Sequence, residues 1–134
     1  MNFKELNHST LELTVDDILI IRCKEDYQFE LQDVQEILLI SGEITNGKKV
    51  PTLTIPGKYS QATKEALEFI FSPEATLYSS HDAFIAQSLS QKIVGNFYLK
   101  LKKPNIPTRL FTNEKLAIEW LMKKSKSKVP DKPN

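Results

Sequence analysis

Cysteine, histidine and glycine are all scarce in this chain, and each scarcity closes off a class of chemistry. One cysteine, Cys23, leaves no partner for an internal disulfide, which fits a reducing compartment. The two histidines, His8 and His81, lie far apart, and no HxH, HExxH or CxxC spacing occurs, so no metal centre is expected. The four glycines, Gly42, Gly47, Gly57 and Gly95, form neither a G-x-G-x-x-G nor a Walker-type loop, and no nucleotide or other cofactor is expected. No apolar run approaches the ~18 residues of a membrane span. The opening MNFKELNHSTLEL lacks a basic region followed by an apolar run and does not read as a signal peptide. Together these features make the cytoplasm the expected location.

What is present is ordinary globular composition, with 40% hydrophobic and 26% charged residues. Net charge is +1, but residues 1–122 carry a net of −3 and residues 123–134 a net of +4. A slightly acidic body argues against nucleic acid as a partner. A length of 134 residues suits one domain. We place it at residues 1–124, followed by a disordered basic tail at 125–134, whose lysines and prolines have no apolar periodicity.

Along the chain, Leu11 and Leu13 alternate with polar neighbours in a first strand, Thr10–Thr14. Asp16-Asp17 make a turn into a second, Ile18–Cys23, so that the two form a hairpin. Tyr27, Phe29 and Leu31 alternate in a short third strand. Val34, Ile37 and Leu38 give helical spacing over Asp33–Ile44, ended by Asn46-Gly47. Val50–Ile55 reads as a central strand, and Ser60 or Thr63 caps the helix of Ala66, Leu67, Phe69 and Ile70. Ser72-Pro73-Glu74 restarts a short helix, Pro73–Ser79. Asp82–Ala86 is a buried strand by length. Ser88 with Gln91 opens the helix Leu89–Leu101, where Leu89, Ile93, Phe97 and Leu101 recur every four residues beside Val94 and Tyr98. Gly95 within it signals close packing against the sheet. Pro107–Phe111 is the last strand, and the final helix turns Ala117, Trp120 and Leu121 inward. Strands alternating with helices after a hairpin predict an α/β fold with a mostly parallel sheet covered by helices.

Few residues offer chemistry. His8 lies in a polar stretch and is expected to be exposed; His81 caps or faces solvent. Cys23 reads as a buried small hydrophobe. Ser79-Ser80-His81-Asp82 holds triad residue types, but adjacent residues rarely meet in triad geometry. No acid–base or nucleophile set stands out, and an enzyme is not expected. Lys58, Tyr59 and Ser60 follow the carboxyl end of a parallel strand, where α/β sheets bind ligands and a helix N-terminus favours anions. They are candidates for an anion site or a phosphosite, with Ser60 read first as a structural cap.

The stretch IVGNFYLKLKKPNIPTRLF, followed by TNEKLAIEWL, carries a resemblance. Its specific pieces are Gly95-Asn96-Phe97, Pro107-Thr108-Arg109-Leu110-Phe111, and Ala117 with Trp120-Leu121. Over residues 10–122 the chain resembles a family of small uncharacterised bacterial proteins, common in Bacteroidetes-like genomes and placed with STAS/SEC14-like or SpoIIAA-like domains. The resemblance implies a STAS-like α/β sandwich. Better-known relatives are anti-sigma factor antagonists, switched by phosphorylation of a serine that follows an acidic residue; the comparable stretch here, Pro56-Gly57-Lys58-Tyr59-Ser60, lacks the acid. Other relatives look lipid- or membrane-associated, with an apolar groove beneath mobile helices, which makes Phe69, Phe71, Leu77 and Tyr78 groove candidates.

Two functions follow as expectations. One is a non-catalytic regulatory module that works through an unidentified protein partner and through self-association as a homodimer. The other is a binder of a small apolar or amphipathic ligand, lipid-like, under a helical lid. A continuous apolar pocket beneath Pro73–Ser79 would favour the ligand; a filled core with an exposed apolar patch would favour the protein partner.

Overall fold

The alternation of Leu11 and Leu13 does build a hairpin. In the computed structural model, which describes residues 2–126, β2 (Ser9–Leu13) pairs antiparallel with β3 (Leu19–Cys23). The turn is held by the Thr14 hydroxyl, which accepts from the Ile18 amide at 3.1 Å, and Asp17 takes a positive φ of 60° there. A further strand, β1 (Phe3–Glu5), precedes them and pairs antiparallel with β2. All three of its residues are exposed, so it has no buried face to write a period into the sequence.

Beyond the hairpin, β5 (Val50–Ile55), β7 (Ser79–Ile85) and β8 (Thr108–Phe111) add in parallel, giving one sheet in the order β1-β2-β3-β5-β7-β8. The expected third strand is only β4 (Gln28–Phe29). It joins no part of the large sheet, pairing instead with β6 (Gln61–Ala62) in a two-stranded ribbon. β7 begins three residues earlier than expected, because Ser79 pairs with Val50 ahead of an irregularity: Pro51 is matched to His81, leaving Ser80 as an extra residue.

Helices α1 (Leu31–Ile44), α2 (Lys64–Ile70) and α3 (Leu89–Lys102) lie on one side of this sheet, with a 3₁₀ turn, Pro73–Thr76, after α2. Helix α4 (Glu114–Lys126) lies on the other and runs two residues past the expected boundary at Lys124; the rest of the expected tail lies outside the described residues. Glu30 and Asp33 form a capping box for α1, and Thr63, Ser72 and Ser88 each accept a cap bond from the following turn.

Packing divides along the sheet. On the α4 side, Ile18, Ile20, Leu53, Ile55, Ala83 and Ile85 meet Ala117 and Leu121, both fully buried. On the other side α1 covers Leu11, Leu19, Ile21 and Val50 through Ile40 and Ile44. Gly95 lets α3 sit on β8, since a Cβ there would lie 3.2 Å from the Leu110 side chain, the close packing the sequence signalled. Trp120 is half-buried rather than inward, lying against His81 and Phe111 with ring centroids 5.7 and 5.8 Å away. His8, expected at the surface, is only 3% exposed. It is held between Tyr27 and Phe29, with Nε2 3.0 Å from Glu36 Oε1. That pocket brings His8 to residues 19 to 28 positions further along the chain, which no local pattern foretells.

Candidate functional site

Strand β5 places its side chains alternately, Leu53 and Ile55 toward α4 and Thr52 and Thr54 toward the three-helix side. Short hydroxyl side chains therefore stand at the centre of the sheet where longer apolar ones would fill space. Helix α2 does not descend to fill it, because it packs chiefly on α1. The result is a cavity of about 410 Å³ between the sheet and α1, α2, the 3₁₀ turn and α3. Its walls are mostly aliphatic and aromatic. Phe71 stacks on Tyr98 and tilts against Phe84, at 5.3 and 5.4 Å between centroids, fixing one side.

The floor is polar. The Thr52 hydroxyl lies 2.9 Å from that of Ser79. Ser79 also hydrogen-bonds the Asp82 carboxyl, and both line the cavity because the irregularity at Ser80 turns them to the same face. Burial pushes the Asp82 carboxyl up to about 7, and the Ser79 hydrogen bond offsets part of that rise. Near neutrality this group passes between an acceptor and a donor–acceptor. The sequence carries two signals for this floor: threonine at alternate positions of a central strand, and an acid inside an otherwise apolar one.

The loop after β5 is tied down where it borders the cavity. Gly57 accepts hydrogen bonds from the Ser60 hydroxyl at 2.8 Å and the Gln91 amide at 3.1 Å, while Gln87 Nε2 donates to Pro56 at 2.6 Å. A Cβ on Gly57 would lie 2.2 Å from the Lys24 carbonyl oxygen, so only glycine allows this loop to press on its neighbour. The expected anion-site residues do not point together here. Carbonyl oxygens converge at the loop, and Thr63, not Ser60, caps α2. Ser60 is buried and borders the cavity, whereas Lys58 and Tyr59 face solvent with the ammonium 5.2 Å over the ring.

Of the groove candidates, Phe69, Phe71 and Tyr78 line the cavity; Leu77 points out and is 51% exposed. The remaining sequence candidates scatter. Gly95 lines the cavity from α3, and Asn96 and Phe97 face outward from the same helix. Pro107 is exposed, Thr108 donates to the Ile106 carbonyl at 2.9 Å, and Arg109 lies over the Phe111 ring at 5.2 Å. Trp120 and Phe111 belong to the α4 side. The triad residue types are split by the sheet: Ser79 and Asp82 face the cavity, while His81 Nε2 is 3.0 Å from the Leu121 carbonyl on the opposite side. Among the described residues no group of three His, Cys, Asp or Glu side chains could hold a metal ion, and no helix is long and apolar enough to cross a membrane. Burial raises the Cys23 thiol to about 11, with a Ser9 hydrogen bond acting against it. The cavity is thus an apolar enclosure with its hydrogen-bonding groups gathered at Thr52, Ser79 and Asp82.

Residues 11–125 match the family described as "Domain of unknown function (DUF7793)". Among solved structures, the chain is similar to an uncharacterized protein of the DUF3478 family with a SpoIIAA-like fold, from Shewanella loihica PV-4. The two share 16% identity over 88% of this chain and 98% of that one, with a TM-score of 0.58. At that identity the likeness shows the fold, and the fold here is SpoIIAA-like, as the resemblance implied. No curated protein matches the sequence.

Proposed function

The chain belongs to the DUF7793 family, and we propose that this SpoIIAA-like domain is a non-catalytic binding module whose ligand is a small apolar or amphipathic molecule with one hydrogen-bonding end. The observation that carries the reading is the cavity: about 410 Å³, walled by apolar side chains and floored by Thr52, Ser79 and Asp82. Small-molecule sites commonly span roughly 300–1,000 Å³ with few polar groups set in apolar walls. The apolar body of the ligand lies between Phe69, Phe71 and Tyr78, and its polar end, a hydroxyl, amide or amine, meets Asp82 and Ser79. The reading assigns Ser79 and Asp82 to ligand recognition and includes no chemical step.

Regulation through phosphate on Ser60 draws less support. Its hydroxyl is buried and committed to the Gly57 carbonyl, so a kinase would first have to open the loop.

Native mass spectrometry of the full chain purified from its own host tests the ligand reading. The expected spectrum shows a folded species heavier than the bare chain by one small molecule, and the excess disappears on denaturation. A folded protein of bare-chain mass, with no extractable organic molecule, would count against it.

A further inference from the structure

Helix α3 is apolar on two opposite sides. Its inner side presents Val94, Gly95 and Leu99 to the cavity. Its outer side carries Leu89, Ile93, Phe97 and Leu101, which are 74%, 60%, 58% and 57% exposed. The four-residue spacing that reads as a packing stripe in the sequence therefore faces away from the protein. Residues four apart drift by about 40° around a helix, so the stripe crosses the outer half obliquely, with Lys92 along one flank, Lys100 within it and Lys103 just past its end.

Charge says what covers this stripe. Residues 1–82 hold 14 acidic against 7 basic side chains, but no Asp or Glu occurs between Asp82 and Glu114, where Lys92, Lys100, Lys102, Lys103 and Arg109 lie. Lys102 pairs with Glu68 at 2.6 Å, and Arg109 covers Phe111; Lys92 and Lys100 are exposed on α3, and Lys103 is exposed just past its end. A second copy placed on this face would set lysines against lysines. Protein partners favour faces enriched in arginine and aromatics and depleted of lysine. Exposed Leu, Ile and Phe side chains flanked by lysines, with no acid on the helix, have the composition of helices that lie in a membrane interface, where lysine stems reach the headgroups.

We propose that the outer face of α3 docks the domain onto an anionic lipid surface. The inference is independent of what fills the cavity. Leu89, Ile93, Phe97 and Leu101 enter the boundary between headgroups and acyl chains, and Lys92, Lys100 and Lys103 sit at the phosphates.

Flotation of the full chain with vesicles provides the test, using equimolar phosphatidylglycerol and phosphatidylcholine against phosphatidylcholine alone. The wild type should float with the anionic vesicles and at least about tenfold less with the zwitterionic ones, and added salt should weaken the binding. Ile93→Ser with Phe97→Ser should abolish flotation at an unchanged thermal midpoint, because both side chains are exposed. Lys92→Gln with Lys100→Gln should weaken it about thirtyfold, at roughly fivefold per lysine. The proposal is overturned if the wild type does not float with anionic vesicles, or if the serine variant floats as well as the wild type. It is also overturned if sedimentation shows a wild-type dimer that the serine variant dissolves while vesicles recruit neither, since the face then belongs to a second copy. Flotation of protein whose cavity proves empty would leave this proposal standing and sink only the ligand reading.

Discussion

Leu53 and Thr54 are consecutive residues of one strand, yet they look into differently built halves of the domain. Leu53 is fully buried beneath α4, where Ala117 lets the helix lie directly on the sheet. Thr54 opens onto a cavity that α2 leaves uncovered by packing on α1 instead. The two faces share every backbone hydrogen bond of the sheet, so the difference lies wholly in side chains and in where the helices settle. One face is filled to hold the fold together. The other is held together at its edges, by α1 over β2 and β3 and by α3 over β8, and is left free at the centre.

Substitutions should separate these roles, and the largest effect belongs to the filled face. Leu121→Ala removes a fully buried side chain from a closed cluster and should cost about 2–5 kcal/mol in urea unfolding. Thr54→Ala, which takes one methyl and a hydroxyl from the open face, should cost about 1 kcal/mol or less by the same measurement. Equal losses at the two sites would mean that the faces are packed alike.

Asp82 gives the next effect, with a sign that only the open face explains. Its carboxyl titrates near 7 in the folded chain against 3.8 unfolded. Between those values the native state keeps a proton that the unfolded state has released, so stability falls as pH rises from about 4 to about 7 and levels off above. Asp82→Asn removes that slope and should stabilise the protein at pH ~8 by up to about 4 kcal/mol, while changing little near pH ~4. Urea midpoints of both proteins across that range check it; parallel pH profiles would show that Asp82 is not buried as described.

Ser60→Ala tests the loop that borders the cavity after β5. Losing the hydrogen bond to Gly57 should cost about 1 kcal/mol, read as a small drop in urea midpoint. Cys23 supplies the smallest signal: with its thiol raised to about 11, labelling by a thiol reagent at pH ~8 should be far slower in the folded protein than in urea. Rapid labelling of folded protein would mean that the wall around Cys23 opens freely.

The hairpin, the order of strands and helices, the caps at Ser72 and Ser88 and the close approach at Gly95 were all legible, because each is written in local period or local chemistry. Thr52 and Thr54 were legible only as strand residues. Their alternation says that the strand has two faces but not that the helix above one of them stands clear. Helix α3 shows the same limit. Its four-residue repeat announces an apolar stripe, and only the position of β8 at the sheet edge decides that Val94, Gly95 and Tyr98 turn inward while Phe97 turns out. The place of Ser60 before a helix suggests a cap, but β6 intervenes and passes that role to Thr63. The burial of His8 needed Tyr27, Phe29 and Glu36 from separate elements.

Fluorescence titration with N-phenyl-1-naphthylamine, a small neutral aromatic probe that brightens in apolar surroundings, asks whether the open face is a binding site. Delipidated wild-type protein should bind one probe per chain saturably. Val94→Phe, which projects a ring into the cavity from α3, should lose that signal at an unchanged thermal midpoint, and Ile93→Ser with Phe97→Ser should keep it. No saturable signal from the wild type, or one that Val94→Phe leaves intact, would mean that the cavity takes no ligand.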